Sequence, residues 1–415
     1  MAPLVHRTPM LLSRTFGQMC GGQVYLKAEN LQRTGSFKVR GASNKISRLP
    51  QALLEKGVIA ASAGNHAQGV ALAARHFGAP CTIVMPKRAA LAKVQATRDY
   101  GAHVLLQGEN YDEAVVHAQE LAQKGGLTYI HGYDDELVIE GQGTVGLEIA
   151  QEVPDADLIL VPTGGGGLLV GIALAVRGLG LHASVIGVQA SRAPGGRESF
   201  LAGRQVRVPP GPTLAEALAV GSLGERTLPL IQKYVDDLVT VDEEAIAQAM
   251  ALLLERSKLL AEGAGATPLA ALLSQKVQAR GKKVVLVISG GNADLNLMAR
   301  ILEHGLYHAG RYLVLRVVLA DKPGQLAQLM ARLAEVEANV LEIVHRRQGA
   351  HFPPNLAEVE VSLEVRNSEH GAQVCAYLEQ AGYLRRPMPF DQPHAFASAE
   401  ARAQLEPLAE AARGP

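Results

Sequence analysis

The sequence predicts an α/β protein built on parallel β-structure, followed by a smaller α+β domain. Three observations support this prediction. Short β-branched runs alternate with longer helical patterns between Val24 and about Glu303, glycine- and serine-rich turns follow several of these runs, and the pattern changes after Tyr307. Nearly continuous apolar strands connected through helices are typical of parallel sheets that are covered on both faces. A chain of 415 residues also exceeds one ordinary core and suggests two or three domains.

Five strand and helix pairs carry the α/β prediction. They are residues 58–61 before 65–77, 82–85 before 90–100, 103–106 before 110–124, 158–161 before 168–179, and 284–288 before 294–303. Ligands of open parallel sheets collect at the carboxyl ends of the strands. We therefore expect the functional residues in the polar and glycine-rich turns that follow these strands.

After Tyr307 the predicted elements follow a β-α-β-β-α order. The strands are 312–319, 339–346 and 356–365, the helices are 325–335 and 369–381, and a turn covers 321–324. This order, over about 75 residues, is typical of a small independent domain, which we place at residues 312–389. The tail at 390–415 has little apolar surface to bury, although 398–406 could form a short helix.

Charge and composition indicate a small molecule as the partner. The chain has 40 basic and 40 acidic residues, and no basic run predicts binding to nucleic acid or to a membrane surface. No apolar segment reaches the roughly 20 residues that span a bilayer, and no leader pattern is present, so we expect a cytoplasmic protein. Cys20, Cys81 and Cys375 do not suggest a disulfide framework or a zinc site, and Cys81 is expected to be a buried small hydrophobe.

Lys38 and the four glycines at 164–167 together indicate a cofactor that is both an aldehyde and a phosphate. Lys38 lies where a helix over 37–47 should begin, and we expect the helix dipole and nearby Arg40 to disfavour its protonated form. The glycines follow an apolar strand and precede a helix, so bare amides can receive an anion. Pyridoxal phosphate requires both an amine and a phosphate anchor. Taken singly, the two features could be a surface lysine and a hinge.

Two further polar turns complete the predicted site. Ser62, Gly64, Asn65 and His66 lie at a helix start, where free amides and a hydroxyl suit a substrate carboxylate, although a simple N-cap is the alternative. Ser289 follows strand 284–288 in a similar strand-to-turn arrangement, and we consider the case in which its hydroxyl reaches the pyridine nitrogen of the cofactor. A neutral hydroxyl holds that nitrogen less firmly protonated than a carboxylate would, which favours prompt loss of a β-substituent.

Five ordered motifs resemble those of the threonine dehydratase (threonine ammonia-lyase) family of fold-type II pyridoxal phosphate enzymes. The motifs are KAEN at 27–30, GSFKVRGA at 35–42, SAGNHAQG at 62–69, GGGGL at 164–168 and SGGN at 289–292. The resemblance covers nearly all of residues 1–305. It implies a catalytic domain of two open parallel-sheet α/β subdomains, with pyridoxal 5′-phosphate as the cofactor.

The resemblance also implies roles for individual residues. Lys38 would carry the Schiff base, with Ser62 beside it in catalysis. The other cofactor contacts would be Phe37 on the ring, Asn65 at the 3′ oxygen, Ser289 at the pyridine nitrogen, and Gly164, Gly165, Gly166, Gly167 and Leu168 around the phosphate. The substrate carboxylate would be received by Ser62, Gly64, Asn65 and His66.

Three further features of the sequence concern racemisation, bound cations and dinucleotide binding. Related serine racemases have a second serine at the position of Ala63, where it serves as acid and base opposite the lysine, so Ala63 favours elimination over racemisation. Some relatives hold a divalent cation near a loop like 213–217, but Glu216 and Ala217 replace the usual aspartate and glycine, which leaves bound cations open. The G-x-G-x-x-G pattern at 141–146 follows an acidic stretch instead of a strand and is not expected to bind a dinucleotide.

The C-terminal segment resembles the ACT domain, a small regulatory module of amino-acid metabolism. The residues that match its ligand loop are Asp321, Lys322, Pro323, Gly324 and Gln325. The resemblance implies an effector amino acid, such as isoleucine, bound at 320–326, and we expect a homodimer or homotetramer. The alternative is a dimerisation module with an empty site. The identity of the effector and the sign of its effect stay open.

The activity implied by the whole pattern is dehydration and deamination of L-threonine to 2-oxobutanoate and ammonia. L-serine would be a second substrate, giving pyruvate, and the ACT domain would supply feedback. A serine racemase and a β-replacement enzyme share the cofactor architecture and remain alternatives. A further alternative is an amino-acid sensor without catalysis, which intact Lys38 and Ser289 disfavour. The sequence does not distinguish a biosynthetic from a degradative role.

Overall fold

The computed structural model of the protein describes residues 4–347 and 355–387. The chain divides into two compact units, Met1–Ile301 and Leu302–Pro415. The predicted tail at 390–415, with its short helix at 398–406, lies outside the described residues. In the part of the chain that is described, no helix combines the length and the apolar character needed to cross a membrane.

Strands and helices alternate through the first unit. The strands are β1 (Met10–Ser13), β2 (Gln23–Lys27), β3 (Val58–Ala61), β4 (Cys81–Met85), β5 (His103–Leu106), β6 (Thr128–Tyr129), β7 (Leu158–Pro162), β8 (Ser184–Ala190), β9 (Asp237–Val241) and β10 (Lys283–Val287). The helices are α1 (Arg14–Cys20), α2 (Lys38–Ser47), α3 (Gln51–Lys56), α4 (Asn65–His76), α5 (Leu91–Asp99), α6 (Tyr111–Gly125), α7 (Glu136–Glu152), α8 (Gly167–Gly178), α9 (Gly195–Ala202), α10 (Thr227–Tyr234), α11 (Glu243–Ser257), α12 (Gly263–Leu273) and α13 (Leu295–His308). All five predicted strand and helix pairs are present, and α13 ends five residues later than predicted.

The larger sheet has the order β1-β2-β10-β7-β8-β9. Its neighbouring strands are parallel except for β1, which pairs antiparallel with β2 in the register Met10 to Lys27. Strand β1 was not predicted, and it adds an antiparallel edge to the otherwise parallel sheet. Residues 14–22, which connect β1 to β2, are too few for the crossover that a parallel pair needs.

The smaller sheet has the order β5-β4-β3-β6, and all of its strands are parallel. All four residues of β3 are buried, and Cys81 at the start of β4 is 7% exposed, which confirms it as a core residue. The predicted α/β architecture with parallel sheets is confirmed. The loops that leave the carboxyl ends of β3, β7 and β10 carry predicted site residues, as expected for open parallel sheets.

The second unit contains a four-stranded antiparallel sheet. Its elements are β11 (Tyr312–Ala320), α14 (Gln325–Glu335), β12 (Asn339–Arg346), β13 (Leu356–Glu364), α15 (Ser368–Gln380) and β14 (Leu384–Pro387), with the sheet order β12-β13-β11-β14. The two helices pack on alternate residues of β11 and β13 in one core that includes Leu315, Val317, Leu329, Val359, Val361, Val374 and Leu378. The predicted elements are present, and β14 is additional. Membership of the ACT family stays a prediction.

Candidate active site

Lys38 is the first residue of α2, as predicted from the sequence. Its Nζ donates a hydrogen bond to the carbonyl oxygen of Gly132 over 2.7 Å and lies 5.1 Å from the centroid of the Phe37 ring. Burial lowers the pKa of Lys38 to about 8, and the nearby carboxylate of Glu262 opposes this shift. A substantial fraction of the amine is therefore neutral near pH 8, which imine formation requires.

The main cause of this pKa shift differs from the helix dipole and the Arg40 charge that the sequence suggested. Burial is the main cause. The charge of Arg40 is compensated by carboxylates: Arg40 contacts both oxygens of Glu29 at 2.7 Å and lies 2.7 Å from Glu148. Lys27 lies 2.7 Å from the same Glu148. Arg40 is 1% exposed and Glu29 is fully buried. The two cations and two carboxylates form a compensated buried network that anchors the first turn of α2.

Backbone hydrogen bonds place Lys38 beside the loop that follows β10. The amide of Phe37 donates to the carbonyl of Ser289 over 3.1 Å, and the amide of Gly291 donates to Gly35 over 2.9 Å. Ser289 is 3% exposed. The lysine motif and the predicted partner of the pyridine nitrogen are thus adjacent, although 251 positions separate Lys38 and Ser289 in the sequence.

Asn65, the first residue of α4, lies between two residues that received no role from the sequence. Its Nδ2 donates to Oε1 of Glu262 over 2.6 Å, and its Oδ1 accepts a hydrogen bond from Nδ2 of Asn292 over 2.7 Å. Burial raises the pKa of Glu262 to about 7. Asn292 closes the fifth motif, whereas Glu262 belongs to none. A lone carboxylate within the apolar and glycine-rich run 259–273 was the signal that could have identified it.

The turn at 62–66 leaves an open space beside polar groups. The hydroxyl of Ser62 accepts the amide of Gly64 over 3.2 Å, and a Cβ at Gly64 would meet no atom within 4 Å. Within the described residues, the amides of Asn65 and His66 donate no hydrogen bond. These two amides therefore remain available to a carboxylate at the helix start.

The His66 ring is buried and supplies no positive charge to the predicted carboxylate site. Its Nε2 donates to the carbonyl of Ile130 over 2.9 Å, which makes Nδ1 an acceptor, and Nδ1 is buried without a hydrogen-bond partner among the described residues. Burial and the nearby charge of Lys38 lower the pKa of His66 to about 3. The imidazole is neutral, so any contact of His66 with a carboxylate has to use the backbone amide.

The glycine loop after β7 presents unused amides. No hydrogen bond is donated by the amides of residues 164–168 within the ranges that the structure describes. Gly166 has φ +98°, a conformation that favours glycine. A Cβ at Gly165 would lie 2.3 Å from the ring of Tyr133, and one at Gly167 would lie 2.7 Å from the carbonyl oxygen of Tyr133. The glycines thus allow the close approach of Tyr133, which the sequence did not indicate, and leave the amides free for an anion.

Two other sequence features have structural explanations. The G-x-G-x-x-G pattern at 141–146 lies inside helix α7, and a Cβ at Gly141 would lie 2.6 Å from the carbonyl oxygen of Arg40. Its glycines therefore serve helix packing. Glu216 begins a short 3₁₀ turn, Glu216–Leu218, and its carboxylate lies 3.0 Å from Nζ of Lys93. Whether a cation binds near this loop stays open.

The fold and this site define a class of protein. A lysine amine of lowered pKa, a buried hydroxyl at Ser289 and a glycine loop with five free amides fit an aldehyde cofactor that carries a phosphate. The family model for pyridoxal-phosphate dependent enzymes matches residues 1–290. The chain belongs to this family and uses pyridoxal phosphate (PLP) as its cofactor, with the fold-type II α/β architecture.

Several relatives with curated names are similar to this chain over most of its length. The chain is 49% identical to the L-threonine ammonia-lyase of Geobacter sulfurreducens and 46% identical to that of Thermotoga maritima, in each case over 380 residues that cover 92% of this chain and 94% of the relative. A catabolic L-threonine dehydratase of Staphylococcus aureus is 46% identical over 308 residues, which cover 73% of this chain and 89% of that protein.

Solved structures agree with this family. The processed form of threonine deaminase isoform 2 from Solanum lycopersicum matches with a TM-score of 0.70 and 36% identity, over 73% of this chain and 89% of that one. Maize serine racemase matches with a TM-score of 0.70 and 36% identity, over 74% of this chain and 94% of that one. A threonine deaminase and a serine racemase are therefore both similar in structure to about three quarters of this chain.

Proposed function

We propose that the protein is an L-threonine ammonia-lyase, which converts L-threonine to 2-oxobutanoate and ammonia. L-serine is its second substrate and gives pyruvate and ammonia. The observation that carries the proposal is a buried Lys38 whose neighbour Phe37 bonds to Ser289, together with a glycine loop whose amides are free. Identities of 46% and 49% to enzymes named L-threonine ammonia-lyase support the choice of substrate.

Lys38 is both the attachment point of the cofactor and the base of the reaction. PLP, when bound, supplies an electron sink that acidifies the Cα–H bond of an amino acid. Burial lowers the pKa of the Lys38 amine to about 8, so the amine that the substrate displaces can accept the Cα proton at ordinary pH. The carbonyl of Gly132, 2.7 Å from Nζ, holds this amine in place. The Phe37 ring lies 5.1 Å from this amine, and its proposed role is contact with the ring of the cofactor.

The turn at 62–66 binds and orients the substrate carboxylate. The donors are the amides of Asn65 and His66 at the start of α4 and the hydroxyl of Ser62, which lies 3.2 Å from the amide of Gly64. Since the His66 ring is neutral, the positive potential comes from the start of helix α4. Holding the carboxylate fixes the direction of the Cα–H bond relative to Lys38, and such positioning contributes to rate as well as to affinity.

Elimination is favoured over racemisation by Ala63. Its side chain packs at the edge of the core of the smaller sheet and carries no proton donor or acceptor. Racemisation requires a proton carrier on each face of Cα. The similarity to maize serine racemase nevertheless makes racemisation the second candidate function, and D-serine formation is its distinguishing product.

Ammonia release tests this proposal directly. Wild type should release ammonia from L-threonine faster than from L-serine, and Lys38→Ala should lose the reaction. Lys45→Ala is the matched control, because Lys45 lies on the same helix and pairs with Asp135 over 2.9 Å. Undiminished turnover in Lys38→Ala would contradict the proposal, and D-serine in excess of pyruvate would favour the racemase.

We also propose that the second unit is an ACT domain that binds an effector amino acid such as isoleucine. The alignments with the two ammonia-lyases cover 380 residues and therefore extend beyond the 301 residues of the first unit. The turn before α14 is exposed at 321–324. Gly324 in this turn has φ +90°, and a Cβ there would meet no atom within 4 Å. These features support a ligand loop at Asp321, Lys322, Pro323, Gly324 and Gln325.

The effector proposal is tested by kinetics with added amino acids. Asp321 lies 3.1 Å from Arg347, so Asp321→Ala removes the carboxylate that holds one end of the loop. Isoleucine should change the threonine rate of wild type and have a weaker effect on Asp321→Ala. A full response in the variant would show that the effector binds elsewhere. Calorimetric titration of isoleucine would separate lost binding from lost coupling.

A further inference from the structure

We infer that Glu262 and Asn292 are positioning residues that hold the side-chain amide of Asn65 in a single orientation, with one N–H of Asn65 left for the cofactor. This inference deepens the proposed function, because it rests on Asn65 lying beside the cofactor. Neither Glu262 nor Asn292 has a role in the site described so far. The inference follows from a chain of hydrogen bonds whose donors and acceptors can be assigned without ambiguity.

The chain begins at a backbone carbonyl. Nδ2 of Asn292 donates to the carbonyl oxygen of Thr34 over 2.7 Å and to Oδ1 of Asn65 over 2.7 Å. A carbonyl oxygen only accepts, so the nitrogen of Asn292 has to face it. Both hydrogens of this nitrogen are then used. The atom of Asn65 that faces Asn292 must therefore be its oxygen, because two amide nitrogens would repel each other.

The chain ends at a carboxylate. With its oxygen directed to Asn292, Asn65 turns Nδ2 toward Glu262 and donates to Oε1 over 2.6 Å. Oε1 of Glu262 accepts this hydrogen bond, so the contact at Glu262 agrees with the orientation that the Asn292 end fixes. Nδ2 of Asn65 has a second hydrogen, which neither neighbour uses. This remaining N–H is the donor available to an anionic oxygen of the cofactor.

The backbone around Glu262 is arranged for this contact. The amide of Glu262 donates to the carbonyl of Gly290 over 3.0 Å. A Cβ at Gly290 would lie 2.4 Å from Oε1 of Glu262 and 3.2 Å from Nδ2 of Asn65. Only glycine at 290 therefore allows the carboxylate to reach Asn65. Gly290 directly follows Ser289, so the same loop supports both the predicted partner of the pyridine nitrogen and the orientation of Asn65.

The inference predicts how Glu262→Gln acts. The substitution keeps the size of the side chain but replaces an acceptor by an amide that can present either end to Asn65. A hydrogen bond to a charged group contributes about 1.5–3 kcal/mol, which corresponds to roughly tenfold or more in affinity. We expect PLP to bind Glu262→Gln roughly tenfold more weakly than wild type, with a shifted absorbance maximum of the bound cofactor.

A double-mutant cycle distinguishes positioning from a general structural effect. PLP dissociation constants and absorbance spectra would be measured without substrate for wild type, Glu262→Gln, Asn65→Ala and the double variant. If Glu262 acts through Asn65, adding Glu262→Gln to Asn65→Ala should change neither quantity further. A penalty of full size in the Asn65→Ala background, or wild-type affinity and spectrum in Glu262→Gln alone, would overturn the inference.

Two additional variants keep the experiment decisive. Asn292→Ser removes the donor at the other end of the chain and should show the same dependence on Asn65, which provides the result if Glu262→Gln does not fold. Glu360→Gln is the control for loss of a partly buried glutamate, since Glu360 accepts from Arg316 over 2.7 Å in the second unit. Its PLP affinity should equal that of wild type. Because no readout uses threonine, the outcome is independent of whether threonine is the substrate.

Discussion

Among the four glycines at 164–167, Gly165 leaves the least space for a side chain. Its substitution by alanine therefore gives the most quantitative prediction. The added Cβ would lie 2.3 Å from Cδ2 and Cε2 of Tyr133 and 2.4 Å from Cζ. The Tyr133 ring is held in place by His131. The two rings pack edge-on with 4.7 Å between their centroids, and the backbone amide of Tyr133 donates a hydrogen bond to Nδ1 of His131. Overpacking of this kind costs about 1–3 kcal/mol. We expect that loss in the free energy of unfolding, together with weaker PLP binding.

Urea unfolding of the apo-protein, followed by circular dichroism, measures the first effect. Gly178→Ala is the matched control, since Gly178 is the last residue of α8, the helix that follows the glycine loop, and a Cβ there meets no atom within 4 Å. It should be neutral or slightly stabilising. The Gly165→Ala penalty should shrink when measured in a Tyr133→Ala background. Equal stability of the two alanine variants, or a penalty that is unchanged without the tyrosine ring, would refute the reasoning.

Three other predictions concern the site and its support. Burial lowers the pKa of Lys38 to about 8. The rate of PLP incorporation into apo-protein, followed by absorbance, should therefore rise with pH up to about 8 and then level off. A rate that still rises well above this pH would contradict the assigned pKa. Arg40→Met leaves the fully buried Glu29 without its ionic partner, so urea unfolding should show a loss of about 3–5 kcal/mol, and a loss below about 1 kcal/mol would show that the network is dispensable. Gly64→Ala places a methyl group in the open space beside Gly64. The free energy of unfolding should change by no more than about 0.5 kcal/mol, while the KM for threonine should rise several-fold. An unchanged KM would place the substrate carboxylate elsewhere.

Much of the fold and several site positions could be predicted because the signals are local. Strand β3 and helix α14 have the predicted bounds, since each apolar run or amphipathic pattern is complete within its own segment. Lys38 at the start of α2 and the glycines before α8 follow in the same way from turn and helix-start chemistry. The antiparallel strand β1 was not predicted, because its direction depends on the length of a connection and on a tertiary pairing.

The missing parts of the site depend on contacts between distant residues. Glu262 contacts Asn65 across 197 positions in the sequence. Tyr133 follows β6 and Gly165 follows β7, and because these strands belong to different sheets, the contact between the two residues is not visible in the local sequence. The partners of Arg40 illustrate the same difficulty. Glu148, 108 positions away, helps to neutralise its charge, and burial is the main cause of the lowered pKa of Lys38. Local chemistry identified the reactive group, and only the tertiary structure identified what controls it.

The covalent bond between Lys38 and PLP is the central claim, and borohydride reduction tests it most directly. Borohydride converts the lysine–PLP double bond into a stable link, and peptide mapping by mass spectrometry then locates the label. The account predicts one pyridoxyl group per chain, on Lys38, and none in Lys38→Ala. A label on a different lysine, or wild-type protein that carries no label after loading with PLP, would contradict it.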